Sequence, residues 1–299
     1  MHDVIIIGAG PAGLSAAIYA TRGGLNVAVI EKLSVGGQAQ SAPNVENFPG
    51  GISTNGFELC YKMLKQCTSL GAQLVFDEIA SLSLSKDTKH VVLKSGQEPF
   101  AKSLIIATGA KARALDLENE SKFIGKGISY CATCDGAFFK DKTVAVIGGG
   151  NTAVEDALYL EKLAKKVYLV HRHNALRADK ILADRLENST ITPVWNSVVQ
   201  SLYGDDKIAQ ITLKDTQNGT LTPLLVDGVF VAIGHEPNSQ LFDEVEKTDD
   251  GYIKTNALMQ TNLSNVYAVG DVRNTPLRQI VTACADGAIA AQTIISAIK

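Results

Sequence analysis

The chain has 299 residues, 45% of them apolar, and a formal net charge of -3. That length fills about two domains of ordinary size, and a slightly acidic balance without a basic stripe argues against a nucleic-acid partner. No positive, cleavable leader opens the sequence, no apolar run approaches the ~20 residues that span a bilayer, and no membrane association is expected. Five cysteines at irregular spacing are not a secreted disulfide framework, so a cytoplasmic protein is expected.

Residues 3–7 are a short β-branched run ending at Gly8. Residues 12–22 have helical composition, and 26–30 form a second β-rich run ending at Glu31. Strand, glycine turn, helix, strand and acid predict a βαβ unit that binds a dinucleotide. Gly8 makes the tight turn, Gly10 lets the backbone approach a pyrophosphate, and Gly13 lets helix and strand pack closely. The helix N-terminus offers its free N–H groups to the phosphate.

Gly36-Gly37-Gln38 and Glu46-Asn47-Phe48-Pro49-Gly50 lie in a stretch too polar and turn-rich for a regular element. Residues 55–70 predict a helix with Phe57, Tyr61, Leu64 and Cys67 on its apolar face, and Cys60 and Cys67 both read as structural. Residues 74–106 predict short strands with a hairpin turn at Ser95-Gly96-Gln97. The last of them leaves through Ala107-Thr108-Gly109, small residues that let the chain pass close to a ligand. Residues 111–126 are polar and irregular, a first crossing between domains.

Cys131 and Cys134 follow at Cys-x-x-Cys spacing, with Asp135 directly after the second sulfur. A zinc site would need two further ligands that no second Cys-x-x-Cys or spaced histidine pair supplies, so no metal is expected. Beyond the dithiol the chain repeats itself: a strand at 142–147, a second glycine turn, a helix at 153–163 and a strand at 166–170. Sliding the first unit forward by 140 residues puts Gly8 on Gly148, Gly10 on Gly150, Gly13 on Ala153 and Ile30 on Val170 without a gap. Glu31 falls on His171.

A carboxylate at that place accepts hydrogen bonds from a ribose hydroxyl and repels a 2′-phosphate. The second copy instead has His171-Arg172-His173 followed by Arg177, and two guanidinium groups with an imidazolium suit a phosphate. The first site is expected to take a dinucleotide without a 2′-phosphate, and the second NADP. A dithiol between two dinucleotide sites implies electrons passing from one cofactor to the other and on to a disulfide.

Residues 175–186 predict a helix and 190–202 a strand-like stretch. After a turn at Gly204-Asp205-Asp206 come strands at 208–213 and 226–233, joined by a loop at 216–219. The second strand ends in a loop at 234–238, a second crossing. Residues 266–269 lead into Gly270-Asp271, which presents a carboxylate to a ligand hydroxyl. Residues 280–298 predict a long apolar helix rich in small residues.

Taken together, these motifs resemble the low-molecular-weight bacterial-type thioredoxin reductases over essentially the whole chain. The matching stretches are 8–13, 36–38, 46–50, 107–110, 131–136, 148–155, 232–238, Gly270-Asp271 and Arg278-Gln279. The resemblance implies an α/β fold of two Rossmann-like dinucleotide-binding domains, the NADP domain inserted into the FAD domain. The FAD-binding domain would comprise 1–112 and 236–299, and the NADP-binding domain with the redox dithiol 113–235.

It also implies FAD and NADPH as cofactors, a homodimer, and thioredoxin as the protein disulfide substrate. Gly8, Gly10, Pro11, Ala12 and Gly13 would cradle the FAD pyrophosphate, with Glu31 near the adenosine ribose. Gly37, Gln38, Asn47, Thr108, Gly109, Asp271, Arg278, Gln279 and Ile280 would complete that site. Gly148, Gly150, Asn151, Thr152, Ala153, Arg172, His173, Arg177, Ile233 and Gly234 would form the NADP site. Cys134 would face the flavin, Cys131 would attack the partner disulfide, and Asp135 would protonate the leaving thiolate. His173 departs from the family pattern, where a second consecutive arginine is usual. Alternatives are a flavoprotein reductase for a peroxidase-system or glutaredoxin-like protein, and a non-catalytic flavin redox sensor.

Overall fold

The computed structural model describes residues 1–42, 45, 47–50, 54–84 and 87–298. Glu46 of the motif at 46–50, and Lys299, lie outside the described residues. The chain forms two compact units, Met1–Lys111 with Glu236–Lys299, and Ala112–His235.

In the first unit the strands are β1 (His2–Ile7), β2 (Val27–Glu31), β3 (Gln73–Phe76), β4 (Ile79–Ser83), β5 (Lys89–Leu93) and β6 (Phe100–Ile106). They order as β3-β2-β1-β6-β5-β4, and a late strand, Val266–Ala268, adds to the end of β6. β1, β2, β3, β6 and the late strand run parallel, while β4 and β5 pair antiparallel. Side chains alternate between faces as the two-residue period requires. Val4, Ile6, Val27 and Val29 meet α1 (Pro11–Arg22) and the C-terminal helix, whereas Ile5, Ile7, Ala28 and Ile30 join the opposite core layer.

The helix α2 (Gly56–Ser69) starts at Asn55, whose side chain accepts from the Glu58 N–H at 2.8 Å. Its inward stripe is not the expected one. Cys60 and Cys67 are buried with Met63 and Leu64 packed beside them, while Phe57 and Tyr61 are exposed and stack on each other at 6.0 Å. Residues 60, 64 and 67 share one helical stripe, and the 57/61 pair lies on the neighbouring one. The reading of Cys60 and Cys67 as structural agrees with their burial as free thiols.

Next in the chain is β7 (Ala110–Ala112), and the second unit then contributes β8 (Ile128–Ser129), β9 (Thr143–Ile147), β10 (Lys166–Val170), β11 (Thr192–Val194), β12 (Ser197–Tyr203), β13 (Gln210–Asp215), β14 (Leu221–Leu225) and β15 (Gly228–Val231). After them come β16 (His235–Pro237) and the late strand β17 (Val266–Ala268). Where the chain passes between units, β7 and β16 pair as a two-stranded ribbon. β11-β10-β9-β15-β8 form a parallel sheet, and β12-β13-β14 an antiparallel meander.

The helices of the second unit are α3 (Glu120–Phe123), α4 (Ala132–Asp135), α5 (Asn151–Glu161) and α6 (Lys180–Glu187). Val144 and Val146 face α5 and α6, while Ala145 and Ile147 face the meander. β14 falls in a stretch expected only as a connection. α6 starts five residues later than expected, because residues 171–179 cross the second glycine turn, where Arg177 N–H donates to the Gly149 carbonyl at 2.7 Å.

The last helix, α7 (Ile280–Ile298), corrects the expectation that no apolar run approaches membrane-spanning length: by length and composition it is sufficient. Its small residues pack on α1. A Cβ on Gly287 would fall 2.2 Å from the Ala12 carbonyl oxygen, so the two helices approach backbone to backbone. Asp286 on the same helix is buried and bonded to Gly270 and Arg273.

Candidate active site

The sequence repeat is also a repeat of geometry. Gly8 N–H donates to Ile30 at 2.8 Å, and Gly148 N–H to Val170 at 3.0 Å. Both glycines have positive φ, +106° and +149°, and a Cβ on either would strike the carbonyl of the residue just past β6 or β15, Ala107 or Ala232, at 2.4 and 2.2 Å. In each copy a glycine N-cap, Gly10 or Gly150, opens the following helix with nothing within 4 Å of where its Cβ would be. Each turn therefore leaves room beside unpaired helix N–H groups, a cradle that fits a pyrophosphate. Pro11 occupies the first turn of α1, where its missing N–H costs nothing. Ala12 and Gly13 are buried beneath the first turn, as Ala153 is beneath the second.

The other expected first-site residues gather in the same unit. Glu31 accepts from Ala9 N–H at 2.8 Å and Leu33 N–H at 2.9 Å, which pins the carboxylate at the end of β2. Gly37 follows Gly36, whose N–H donates to Ala9, and the Cβ position of Gly37 lies 3.6 Å from the Gly10 Cα. Gln38 donates to the Ala110 carbonyl, and Asn47 donates to the Gln279 side chain at 3.0 Å. Thr108 donates to the Asn238 carbonyl at 2.7 Å, and the Gly109 carbonyl accepts from Asn238 N–H at 2.9 Å.

Gly270 turns at φ +72° against Ala12 and delivers Asp271. Burial pushes the Asp271 carboxyl above its usual range, against the pull of the Arg278 guanidinium. Arg278 stacks over Tyr252 at 4.1 Å and has a buried Nε without a hydrogen-bond partner among the described residues. Gln279 and Ile280 lead into α7. An orphaned buried donor and a carboxylate near the glycine cradle fit a polar nucleotide cofactor.

In the second unit Asn151 exchanges hydrogen bonds with Asp179, at 2.7 and 2.8 Å, and Thr152 is exposed beside it. Arg172, His173 and Arg177 are all exposed, and Arg177 Nη2 lies 3.4 Å from His173 Nε2. Ile233 and Gly234 lie just past β15, both exposed. His171, at the place of Glu31, was expected in the stretch that replaces the acid but not as a cofactor ligand. It is buried against Gly149 with its Nε2 unpartnered among the described residues, and burial together with the nearby His173, Arg172 and Arg177 lowers its affinity for a proton. Its alignment on Glu31 was the signal that could have found it.

Cys131 and Cys134 are joined in a disulfide, S–S 2.01 Å, at the head of α4. Cys131 is the N-cap residue, its Sγ accepting from Cys134 N–H at 3.2 Å, and Cys134 is exposed. Asp135 closes the short helix and accepts from the Ser129 hydroxyl at 2.6 Å. Gly136 lets the segment lie on α5, since a Cβ there would be 3.0 Å from both Leu160 and Tyr159. On the other side Tyr130 OH donates to the buried Glu120 carboxylate at 2.5 Å, and that carboxylate also accepts from Leu115 N–H at 2.9 Å. The disulfide is thus framed by a sheet residue, a buried acid and a helix.

Two copies of a dinucleotide turn, with an accessible Cys-x-x-Cys disulfide on the second unit, define the class of nucleotide-dependent disulfide oxidoreductases. Residues 2–287 match the family described as pyridine nucleotide-disulphide oxidoreductase. The thioredoxin reductase of Treponema pallidum (strain Nichols) is 42% identical over 299 residues, spanning 99% of this chain and 97% of the relative. That of Bacillus subtilis (strain 168) is 42% identical over 298 residues, spanning 98% and 94%. The crystal structure of Lactococcus lactis thioredoxin reductase matches with a TM-score of 0.94 at 37% identity, covering 99% of this chain and 98% of that one.

The chain belongs to the thioredoxin reductase branch of the pyridine nucleotide-disulphide oxidoreductases. It is accordingly an oxidoreductase, and its family works with flavin and nicotinamide cofactors.

Proposed function

We propose that the chain is an NADPH-dependent thioredoxin-disulfide reductase, passing electrons from NADPH through FAD and the Cys131/Cys134 dithiol to the disulfide of thioredoxin. The observation that carries this reading is the Cys131–Cys134 disulfide at the head of α4, with Asp135 beside it, in the unit built on the second glycine turn. Residues 1–112 and 236–299 are the FAD-binding domain, and 113–235 the NADP-binding domain. When bound, FAD and NADPH supply the hydride and electron transfer.

The chain's own residues bind and orient them. The 8–13 turn takes the FAD pyrophosphate, Glu31 the adenosine ribose, and Asp271, Arg278 and Gln279 the remaining polar groups of FAD. The 148–153 turn takes the NADPH pyrophosphate, and Arg172, His173 and Arg177 its 2′-phosphate.

The dithiol chemistry runs on three side chains. The Cys131 thiolate attacks one sulfur of the thioredoxin disulfide; a mixed disulfide forms, the partner's S–S bond breaks, and Asp135 gives a proton to the leaving thiolate. Cys134 then gives its proton to Asp135 and, as a thiolate, displaces the second partner sulfur from Cys131, which takes that proton from Asp135 as it leaves. The Cys131–Cys134 disulfide is restored and the electron pair leaves on the two partner thiols. Cys134 would be the sulfur through which the restored disulfide takes its next electron pair, which FAD would supply.

A homodimer in the cytoplasm is part of the same reading. The dimer part of it is supported by exposed apolar side chains in the first unit, Leu258 and Ile289 beside Ala288.

The test is replacement of Cys131 or Cys134 by Ser. Either variant is expected to lose thioredoxin reduction while NADPH oxidation with a small artificial electron acceptor continues. Normal thioredoxin turnover in either variant would overturn the assignment.

A further inference from the structure

Ser129 lies two residues before the disulfide at the end of β8, paired with Phe230 of β15 and only 5% exposed. Its Oγ makes three contacts, all to the reacting segment. It accepts from Cys131 N–H at 3.0 Å, and it lies 2.6 Å from Asp135 Oδ2 and 3.2 Å from the Cys131 carbonyl oxygen. A serine hydroxyl has one hydrogen, so it can donate to only one of these two acceptors at a time. The Cys131 carbonyl already accepts from Asp135 N–H at 3.2 Å, and its second lone pair is available to Ser129.

We propose that Ser129 is the positioning residue of the dithiol, its single hydroxyl hydrogen moving between Asp135 and the Cys131 carbonyl as Asp135 loses and regains a proton. This rests on the reading of Asp135 as the acid that serves the leaving thiolate. When Asp135 is a carboxylate, Ser129 donates to it at the short distance seen beside the disulfide. When Asp135 carries its proton, Ser129 turns to the Cys131 carbonyl and leaves the acid's O–H free for the departing sulfur. Throughout, Oγ keeps its hold on Cys131 N–H, so the attacking cysteine and the acid keep one fixed relation. In the exchange step the new S–S bond forms at Cys131, the partner's S–S bond breaks, and the proton moves from Asp135 to the partner sulfur. Ser129 gains and loses no proton.

The choice of acceptor separates this role from packing. An alkyl thiolate leaving thioredoxin needs a proton, whereas the aryl thiolate of 5,5′-dithiobis(2-nitrobenzoate) leaves readily without one. Reduced enzyme freed of excess reductant is mixed with each disulfide in a single-turnover experiment. Ser129→Ala is expected to slow thioredoxin reduction about tenfold or more, the scale of a lost hydrogen bond to a charged group, and to leave the aryl disulfide within about twofold. Ser129→Thr, which keeps the hydroxyl, is expected to restore the thioredoxin rate.

Equal slowing with both disulfides, or no rescue by threonine, would overturn the proposal. Asp135→Asn reports separately on the underlying reading: it should slow thioredoxin reduction selectively, and Ser129→Ala should then add little. Full thioredoxin turnover in Asp135→Asn would remove the acid itself. Selective slowing in Asp135→Asn, with wild-type rates in Ser129→Ala, would remove only Ser129. Thiols released per chain on reduction verify that each variant carries an intact dithiol.

Discussion

Gly149 lies directly against the imidazole of His171: a Cβ on Gly149 would fall 2.3 Å from Nδ1 and 2.4 Å from Cε1. The ring is confined, with Trp195 at 6.4 Å and His173 at 5.4 Å between centroids. In the first unit the same two places hold Ala9 and Glu31, joined by a 2.8 Å hydrogen bond from backbone N–H to carboxylate. The repeat has kept the contact and exchanged a charge-assisted bond for ring packing.

Gly149→Ala is therefore expected to displace the 171–179 segment from the second turn, with an overpacking cost of about 1–3 kcal/mol. The affinity for nicotinamide nucleotide, measured by calorimetric titration, should fall about tenfold on the same scale while flavin content is unchanged. Adding His171→Ala should recover part of the loss. Unchanged affinity in Gly149→Ala would show that the turn and the ring are not coupled.

The same segment carries the test of cofactor choice. Arg177 reaches His173 at 3.4 Å, and its backbone N–H is fixed on Gly149, so both side chains stand over the second turn. His173→Arg is expected to raise the ratio of kcat/KM for NADPH over NADH, and Arg177→Ala to lower it, each by about ten- to a hundredfold, the scale of a hydrogen bond between charged groups. Raising the salt concentration should compress the difference. Ratios that stay the same in both variants would leave the 2′-phosphate unassigned.

Asp156 on α5 makes stability depend on pH. Burial, with the neighbouring Glu155 charge adding to it, raises its carboxyl from 3.8 to about 7. Between those two values the folded chain holds a proton that the unfolded chain has released, so stability falls as pH rises through this window and levels off above it. Asp156→Asn keeps the shape of the neutral acid. It should match the wild type near pH 4 and exceed it above pH 7 by on the order of 2–4 kcal/mol, because each pH unit crossed in that window is worth about 1.4 kcal/mol. Thermal melts at pH 5 and pH 8 give the comparison. A variant no more stable than wild type at the higher pH would show that the fold does not hold the Asp156 proton above the usual carboxylate range.

Much of this architecture could be read from residue pattern alone, because periodic burial leaves a direct record. The apolar parts of the expected strands, 4–7 and 144–147, sit buried on both faces of parallel sheets, and positive-φ glycines end both. The dithiol was legible from spacing. What escaped was set by tertiary contact. Phe57 and Tyr61 have the spacing of a core face, yet the neighbouring stripe with Cys60 and Cys67 is the buried one. β14 carries Pro223 and an almost wholly exposed face, so its pattern has no apolar alternation to read. Ser129 is an ordinary polar residue in sequence, and only its burial beside Asp135 gives it meaning; the alignment on Glu31 marks His171, but its packing on Gly149 leaves no trace in the sequence.

The last prediction concerns Asp286, which ties α7 to the turn that carries Asp271. Its Oδ2 accepts from Gly270 N–H at 3.0 Å and faces Arg273 Nη1 at 3.1 Å, in a pair where neither side chain is more than 13% exposed. Arg273 is held in turn by Thr255 at 2.8 Å. Removing one partner of such a pair leaves a buried charge unmatched, so Asp286→Ala should cost about 3–5 kcal/mol. It should also release the Gly270 turn, so that Asp271 is no longer aimed at the proposed flavin site.

Stability and flavin binding can be separated. The double replacement Arg273→Met with Asp286→Leu removes both charges and should recover most of the lost thermal stability. It cannot restore an acceptor to Gly270 N–H. Flavin release, followed by the rise in free flavin fluorescence on dilution, should therefore stay faster than in the wild type even where Tm has returned. If flavin retention recovered together with Tm, Asp286 would serve only the stability of the unit, and the geometry of the Gly270 turn would not govern how tightly the cofactor is held.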